Sequence, residues 1–366
     1  MRKRADSRVP IAIIAWSVIA LVAFSCSNDP GDAAQTQDLS LSWVGEMLVP
    51  GKQEAGSLSI HVDGTGTRVD GRIVLEIDEG PVRDFWMRGT VDSDRVFLEL
   101  NTDLLAYGYS LSIDAAQDPF GRLTGSIVSE GLAIDAEIDC RAIERIALTP
   151  LRSRELNRSA SVLAFDGTDL WSASSGKYLR LNREGDVLEE LGVFLRDEIL
   201  WTSTALTLDD SLFRGHLPLS VSGDGEVQNL SDVISFTRDG AVISQDRMDH
   251  RTSGLGASGG ALWSLGSEGR KLHRIDAGVT LQTVDYSVPG LIYLAFDGDS
   301  FWSQSWFDSR IYRIDGGGEV LGVYEMTVQD HGFPAGIACG DGRIWVLMSD
   351  PFQGRSTFYE LETAID

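Results

Sequence analysis

Residues 163–171 read LAFDGTDLW, and residues 294–302 read LAFDGDSFW. Shorter copies of this phrase occur at 209–213 (DDSLF), 259–263 (GGALW) and 341–345 (DGRIW). A second phrase of the type Tyr-Arg-Ile-Asp follows at 178–182 (YLRLN), 272–276 (LHRID) and 311–315 (IYRID). One large aromatic residue per repeat and a period of about 40 residues are typical of a β-propeller.

The repeats also predict the number of blades. The turn markers Asp166, Asp209, Gly259, Asp297 and Asp341 are 43, 50, 38 and 44 residues apart. Each interval has room for four strands, because the mean strand has about five or six residues. We therefore predict a five-bladed propeller over residues 161–366, with strands A, B, C and D in each blade and D outermost.

The last repeat is incomplete. Only residues 363–366 follow its third strand, which is too few for an outer strand. An open ring would leave an unpaired sheet edge, which proteins avoid. We predict that residues 143–148 (IERIAL), within the linker 142–160, supply the missing outer strand by pairing with residues 357–362.

A separate β-domain precedes the repeats. Apolar and polar residues alternate at 58–62 (LSIHV), 72–77 (RIVLEI), 109–113 (YSLSI) and 132–138 (LAIDAEI), and Gly- and Asp-rich turns separate these runs. About eight short strands in 100 residues predict a small antiparallel barrel or sandwich over residues 39–141. Its interior is expected to be filled by side chains, and a lipocalin-like cavity for a small apolar ligand is the alternative.

The amino terminus has the pattern of an export signal. Four basic residues within 1–8 precede an apolar run at 9–24. As a helix this run would be about 24 Å long, which is short for a membrane span and typical of a signal-peptide core. Cleavage by an ordinary signal peptidase and retention of the helix are both alternatives to the interpretation that follows.

Residues 23–26 (AFSC) resemble the lipobox of bacterial lipoproteins, although Ala23 stands where Leu is usual and Phe24 where small residues are usual. The resemblance implies that residues 1–25 are a signal peptide, that Cys26 is lipidated, and that the polar residues 26–38 form a tether. Such an anchor holds a protein stably at a membrane when two or more lipid chains are attached. Ser27 resembles the sorting pattern for an outer membrane, should the source have two membranes.

The composition agrees with export. Without residues 1–25 the chain has 27 basic and 54 acidic residues, a net charge of −27. Such a surface repels nucleic acid and anionic lipid headgroups, so nucleic acid is not an expected partner. It would attract cations, but the sequence lacks the ligand spacing of a calcium loop. We predict no cofactor, with calcium as the weaker alternative.

Two cysteines remain beside Cys26. Cys140 and Cys339 could form a disulfide outside the cytoplasm. Cys339 lies in an apolar repeat strand (336–339, GIAC), where a buried free thiol is the more common state. We favour free thiols and keep the disulfide as the alternative.

Loops that depart from the repeat are where function is expected. Counting from the strand-B aromatic to the end of the second phrase locates insertions at 216–232 and 350–357. These B–C loops share one face of the propeller with the connectors between strand D and the next strand A. The candidate binding residues on this face are Arg196, Trp201, His216, His250, Arg251, Trp306, Arg310, His331 and Arg355.

The sequence contains no catalytic signature. A nucleophile elbow, a zinc-protease motif, a P-loop and a dinucleotide fingerprint are all missing from it. His250 follows Asp249 and His331 follows Asp330, but sequence neighbours do not make a triad. The repeated Trp residues and Asp-Gly pairs are interpreted as blade packing and turns rather than as a site.

Residues 333–337 (FPAGI) and 341–346 (DGRIWV) resemble the repeats of gluconolactonase-type and streptogramin-lyase-type propellers, and the five repeats also resemble those of glutaminyl cyclases. The gluconolactonase resemblance would imply a calcium-bound lactonase with Asn or Asp between Pro334 and Gly336. Ala335 stands there, which counts against that activity. No counterpart of the acidic catalytic motif of glutaminyl cyclases is found.

From these observations we expect a membrane-tethered lipoprotein of the bacterial cell envelope. Its propeller face would bind a protein, peptide or glycan, and we expect no catalysis. The alternative is a propeller-type lactonase, lyase or cyclase that acts on a small substrate outside the cytoplasm. Convergence of carboxylates or histidines at the mouth of the central channel would favour the enzyme.

Overall fold

The computed structural model is built from β-strands. It describes residues 38–50, 56–65, 67–76, 82–100, 110–129, 131–132, 134–174, 177–192, 194–195, 198–199, 205–209, 212–221, 227–258, 260–266, 270–327, 332–350 and 352–362. The predicted signal peptide and Cys26 lie outside these residues. In the part of the chain that is described, no helix has the length and apolar character needed to cross a bilayer.

The first eight strands form a closed antiparallel barrel. Each strand pairs with the next, and the first pairs with the eighth from Trp43↔Ala142 to Leu48↔Glu137. The strands are β1 (Asp38–Leu48), β2 (Gly56–Thr65), β3 (Arg68–Glu76), β4 (Arg83–Val91), β5 (Arg95–Leu100), β6 (Ser112–Gln117), β7 (Leu123–Ser129) and β8 (Ile134–Ala142). Closure removes every free edge from this domain.

Alternation along the strands fills the barrel. Leu58, Ile60 and Val62 of β2 point inward and are fully buried, as the period of two requires. They belong to one hydrophobic cluster to which all eight strands contribute, with Trp43 and Met47 among its largest members. The interior is therefore a side-chain core, as expected for a barrel of this size.

Five blades form the propeller, four of them with four strands and blade 4 with five, which confirms the predicted fold class. The strands run A to D from the axis outward. Blade 1 has β11 (Ser161–Phe165), β12 (Leu170–Ser174), β13 (Lys177–Leu181) and β14 (Val187–Gly192). A short hairpin of β15 (Phe194–Leu195) and β16 (Glu198–Ile199) follows, before blade 2 with β17 (Leu206–Asp209), β18 (Leu212–Val221), β19 (Val227–Phe236) and β20 (Val242–Arg247).

The remaining blades follow the same order. Blade 3 has β21 (Thr252–Ser258), β22 (Ala261–Gly266), β23 (Lys271–Asp276) and β24 (Val279–Asp285). Blade 4 has β25 (Leu291–Phe296), β26 (Phe301–Ser305), β27 (Ile311–Ile314) and β28 (Val320–Met326). Blade 5 has only three strands from this end of the chain, β29 (Phe333–Gly340), β30 (Arg343–Asp350) and β31 (Arg355–Glu362).

The ring is closed by a strand from before the repeats, but not by the predicted one. Strand β10 (Pro150–Leu156) pairs antiparallel with β31 and becomes the outer strand of blade 5. The predicted segment 143–148 instead contains β9 (Arg145–Leu148), which pairs in parallel with β28 and adds a fifth strand to blade 4. A strand from the linker does close the ring, but the predicted residues 143–148 were wrong. Residues 150–156 carry charges that suit an exposed outer edge, whereas 143–148 is the more apolar segment.

Neighbouring blades pack closely around the axis. Each of two A strands has a bulge at a glycine, Gly254 in β21 and Gly336 in β29. A Cβ atom on Gly254 would lie 2.7 Å from the backbone carbon of Tyr293, and one on Gly336 would lie 2.6 Å from that of Val162. Glycine is therefore required at both positions for the backbones of adjacent blades to approach.

The repeated Trp residues hold adjacent blades together, as predicted. Trp171 of blade 1 packs on Phe213 of blade 2 with ring centroids 4.7 Å apart. Trp263 of blade 3 packs on Phe301 of blade 4 at 5.2 Å. These aromatic contacts account for the conspicuous part of the repeated phrase.

The barrel packs against blades 3 and 4 through the outer face of β1 and β2. Ser42, Ser59 and His61 point away from the barrel core, yet each is at most 2% exposed. Val44, on the same face, joins a hydrophobic cluster formed mainly by blades 3 and 4. Small serine side chains allow the propeller to come close to the strands, so β2 is buried on both faces.

Candidate functional site

The B–C loops and the D–A connectors lie at one end of the propeller, called here the B–C face. The insertion predicted at 216–232 lengthens the β18–β19 hairpin of blade 2, whose strands have 10 residues each. The insertion predicted at 350–357 lengthens the β30–β31 hairpin of blade 5, where Phe352 is 88% exposed. Both departures from the repeat therefore extend the B–C face.

The central channel is closed by apolar side chains. The A strands contribute Val162, Leu206, Leu255, Leu294 and Ile337 to the axis, and ≈ 0 Å³ of space remains there for a water molecule. All five are nearly fully buried. This part of the axis therefore has no room for a ligand.

An exposed tryptophan stacked on a half-buried phenylalanine lies on the B–C face. Trp306 follows β26 and is 45% exposed, and its ring stacks on Phe333 at the start of β29. The ring centroids are 5.6 Å apart and the planes differ by 20°. The backbone N–H of Trp306 donates to the carbonyl of Gly290 at 3.0 Å, which fixes the start of the loop. The stack is an apolar platform held in place before any ligand arrives.

Three of the five histidines in the sequence meet between blades 2 and 3. The rings of His250 and His273 have centroids 4.0 Å apart, and His216 is close enough to interact electrostatically with His250. Burial lowers the pKa of His216 to about 4. Burial, helped by the charge of His250, also lowers the pKa of His273 to about 4. Both rings are therefore neutral at pH 7.

One contact in this cluster has the geometry of a catalytic relay. His250 Nδ1 lies 2.7 Å from Asp249 Oδ1, and its Nε2 lies 2.8 Å from Ser264 Oγ. Ser264 is fully buried. Its equivalents, Ser172 after Trp171 and Ser303 after Trp302, donate to strand-A carbonyls at 3.0 Å with no histidine involved. Ser264 Oγ instead donates to Thr252 Oγ1 at 2.7 Å, and its burial means that it is not an accessible nucleophile.

Arg310 was predicted on the binding face, but it is buried where the barrel covers blade 4. Its guanidinium lies 3.1 Å from the carboxylate of Asp308, and Asp308 lies 3.3 Å from His61 Nε2 of the barrel. His61 also contacts Tyr312 Oη and Ser42 Oγ, each at 2.8 Å. Burial lowers the pKa of His61 well below its usual value. This network holds the two domains together, so Arg310 is corrected to a structural residue.

The other candidates are dispersed. Arg355 is exposed and pairs with Glu155 at 2.6 Å on the outer strand of blade 5. Arg251 is half-buried beside His250. Arg196, Trp201 and His331 lie outside the described residues. The structure thus brings His216 and His250 together with His273, and it pairs Trp306 with Phe333 elsewhere on the face. Arg310 and Arg355 belong to neither group. The sequence did not identify Phe333 as a binding residue, because an aromatic residue at the start of a repeat strand is usually part of the hydrophobic core.

The described residues form neither a metal cluster nor a disulfide. Over the described ranges, no group of three or more His, Cys, Asp or Glu side chains has the arrangement of a metal site. Cys140 lies in the barrel and Cys339 in blade 5, and both are buried free thiols. The alternative of a disulfide between them is therefore wrong, because the two strands belong to different domains.

No protein-family model and no curated protein matches this sequence. Among solved structures, the chain is similar to the glutaminyl cyclase of Myxococcus xanthus, with 17% identity over 60% of this chain and 99% of that one and a TM-score of 0.45. The chain is also similar to the PQQ-bound aldose sugar dehydrogenase of Streptomyces coelicolor, with 14% identity over 59% of this chain and 97% of that one and a TM-score of 0.37. Regucalcin, a calcium-binding protein of Agrobacterium tumefaciens, has 12% identity over 61% of this chain and 98% of that one, with a TM-score of 0.37.

The predicted resemblance to a glutaminyl cyclase is thus confirmed as a similarity. All three TM-scores are below 0.5, so these similarities carry no argument about an activity or ligand of this chain.

Proposed function

We propose that this protein is a lipid-anchored protein of the bacterial cell envelope, and that the B–C face of its propeller binds a protein, peptide or glycan without catalysis. The observation that carries this proposal is the platform of Trp306 and Phe333. Nearly half of the Trp306 side chain is exposed, although a side chain of this size usually gains from burial.

The chemistry of the platform suits binding. Tryptophan is enriched among the residues that dominate interface energies, because it buries a large rigid surface at a small entropic cost. Stacking on Phe333 fixes the ring in advance, which lowers that cost further. The same flat surface can take a peptide side chain or the apolar face of a sugar ring.

The enzyme alternative is not favoured. The described part of the axis is lined by apolar residues, and the serine that contacts His250 is fully buried and donates to Thr252 Oγ1. We propose no cofactor.

The binding proposal is tested with the purified protein as bait in an extract of the cell envelope, followed by titration of the captured partner. Trp306→Ala should weaken binding at least about tenfold, since an interface hot spot contributes about 2 kcal/mol. Phe120→Ala is the matched control, because Phe120 is also an exposed aromatic (93%) but lies on a barrel turn. Equal affinities for wild type and Trp306→Ala would refute the proposal.

Two further measurements test its other parts. Cys26→Ser should abolish incorporation of labelled fatty acid and release the protein from the membrane fraction. Retention of Cys26→Ser in that fraction would contradict the lipid anchor. Titration with calcium should give no stoichiometric binding, and a tight single site would contradict the proposal of binding without a cofactor.

A further inference from the structure

The loop that carries Trp306 faces both the binding platform and the barrel. It is the B–C loop of blade 4, residues 306–310 (WFDSR), between β26 and β27. Trp306 is 45% exposed and stacks on Phe333, whereas the side chain of Asp308, two residues later, is fully buried against the barrel. The platform and the barrel contact are therefore joined by a very short length of backbone.

The backbone of this loop needs support. Ser309 has a φ of 58°, in the left-handed region that a residue other than glycine adopts only at a cost. The loop is closed at its base by the N–H of Ser305, which donates to the Arg310 carbonyl at 2.8 Å, and by the N–H of Ser309, which donates to the Ser305 carbonyl at 3.1 Å. Such a residue keeps its conformation only where the surrounding contacts hold it.

Asp308 supplies support from within the loop. Its Oδ1 accepts the backbone N–H of Arg310 at 3.1 Å, and its Oδ2 lies 3.1 Å from the Arg310 guanidinium. Tyr312 Oη donates to the same Oδ2 at 3.3 Å. The carboxylate of Asp308 therefore fixes the part of the loop that follows Trp306.

The barrel holds this carboxylate from the other side. His61 Nε2, on β2, lies 3.3 Å from Asp308 Oδ2 and 2.8 Å from Tyr312 Oη. Its Nδ1 lies 2.8 Å from Ser42 Oγ on β1. His61, Ser42 and Tyr312 are all buried, so the loss of one partner would leave the others with unsatisfied polar atoms.

A second contact ties the loop to the barrel near Gly290. A Cβ atom on Gly290 would lie 2.5 Å from Phe307 Cδ2 and 3.4 Å from Cγ1 of Val82, the residue that precedes β4 of the barrel. The carbonyl of Gly290 accepts the backbone N–H of Trp306 at 3.0 Å. Because Gly290 has no side chain, the Phe307 ring can lie against it beside the barrel.

We propose that the barrel positions the binding platform, and that His61, acting through Asp308, keeps the loop 306–310 in the conformation that presents Trp306. His61 and Asp308 are positioning residues, since both side chains are buried between the domains. The inference rests on the function proposed for the platform. It gives a role to the barrel, whose interior is filled by side chains.

The proposal is tested by reading the Trp306 signal in the full protein. Tryptophan is labelled with ¹⁵N at the indole, and the Trp306 signal is assigned by its loss in Trp306→Phe. In His61→Asn the amide lies where Nδ1 of the ring lies, so it reaches Ser42 but not Asp308. The Trp306 signal should then shift, and its ¹H–¹⁵N nuclear Overhauser effect, which reports motion on the ps–ns timescale, should decrease.

Two further variants separate positioning from a general loss of stability. His61→Gln places its amide where Nε2 lies, so it can contact Asp308 and should restore the wild-type Trp306 signal. Arg141→Gln is the matched control, because Arg141 of β8 also contacts blade 4, at Glu319 and the Val320 carbonyl, but on the face opposite the B–C face. Arg141→Gln should leave the Trp306 signal as in the wild type.

A binding measurement distinguishes this proposal from the proposed function. His61→Asn should weaken the affinity for the partner captured by the wild type about two- to tenfold, which is the cost of ordering one large side chain on binding. If Trp306→Ala binds that partner as well as the wild type does, the proposed function fails, and the Trp306 signal still decides whether the barrel positions the loop.

Tyr312→Phe serves if His61→Asn does not fold. It removes one oxygen atom, which lies 2.8 Å from His61 Nε2 and 3.3 Å from Asp308 Oδ2, and it keeps the aromatic ring. The Trp306 signal should shift in the same direction by a smaller amount. The proposal is overturned if either variant, once folded, leaves the Trp306 signal unchanged, or if His61→Gln and Arg141→Gln change that signal as much as His61→Asn does.

Discussion

Two tryptophans at the same position of adjacent blades differ in one hydrogen bond. Trp302 and Trp345 both lie in strand B and both are fully buried. Trp302 Nε1 donates to the carboxylate of Asp297, five residues earlier. Blade 5 has Gly340 in place of that aspartate, and Trp345 Nε1 has no acceptor among the described residues. Replacement of each by phenylalanine should therefore have different consequences.

The difference can be worked from the two environments. Both substitutions remove the same atoms from a packed core, so their cavity costs are similar. Trp302→Phe also loses a hydrogen bond to a charged group, which is worth about 2 kcal/mol. Trp345→Phe instead removes a buried donor that is unsatisfied, which recovers about 1 kcal/mol. We expect Trp302→Phe to be less stable than Trp345→Phe by about 3 kcal/mol.

Urea unfolding followed by circular dichroism measures this difference directly. Trp171→Phe is the third variant, because Trp171 donates to Asp166 at 3.0 Å and should behave like Trp302. The reasoning fails if Trp345→Phe destabilises the protein as much as the other two, since the hydrogen bond would then contribute nothing.

Further predictions concern protons and thiols. The unfolded chain protonates histidine near pH 6.5, whereas burial keeps the pKa of His216 and His273 at about 4 and that of His61 well below its usual value. The free energy of unfolding should thus be highest above pH 6.5 and decrease as the pH falls toward 4. Urea midpoints measured across this range test the prediction, and a midpoint that does not change with pH would contradict it. Burial raises the pKa of Cys140 to about 12 and that of Cys339 well above its usual value. Both thiols should react with a thiol reagent only after unfolding, and reductant should leave the unfolding curve unchanged; a shift on reduction would reveal a disulfide.

The repeated phrase was sufficient to predict the blades because blade packing is local and periodic. Each repeat encodes its own turn, its own aromatic wedge and its own strands, so counting recovers them. Counting from the repeats gave one wrong equivalence, in the A–B turn of blade 5. Asp341 looks like the counterpart of Asp297, but Asp341 lies four residues before its tryptophan and Asp297 lies five before its own. Blade 5 therefore has a shorter turn and no carboxylate for its indole.

Contacts between distant segments were harder to predict. The alternation at 58–62 correctly places Leu58 and Ile60 in the barrel core, yet it assigns Ser59 and His61 to solvent, and the structure buries them against blade 4. A pattern of period two says which residues share a face but not what covers that face. Arg310 was misplaced for the same reason, since its partner Asp308 is buried only because the barrel lies above it.

The choice between β9 and β10 depended on similar information. Both segments can form a strand, and the sequence does not show which blade lies beside each of them. The first segment after the barrel lies along blade 4, and the next one along the chain reaches blade 5.

Because β10 and β31 are far apart in the sequence, their pairing affects the order in which the propeller folds. Arg355, at the start of β31, contacts Glu155 of β10 across 200 positions of the chain. At about 5–20 residues per second, β10 is synthesised roughly 10–40 s before its partner exists. During that interval the barrel and the first four blades can form while the ring stays open. Pairing across such a separation is intrinsically slow, so we expect the joining of the two ends of the propeller to be a late step of folding.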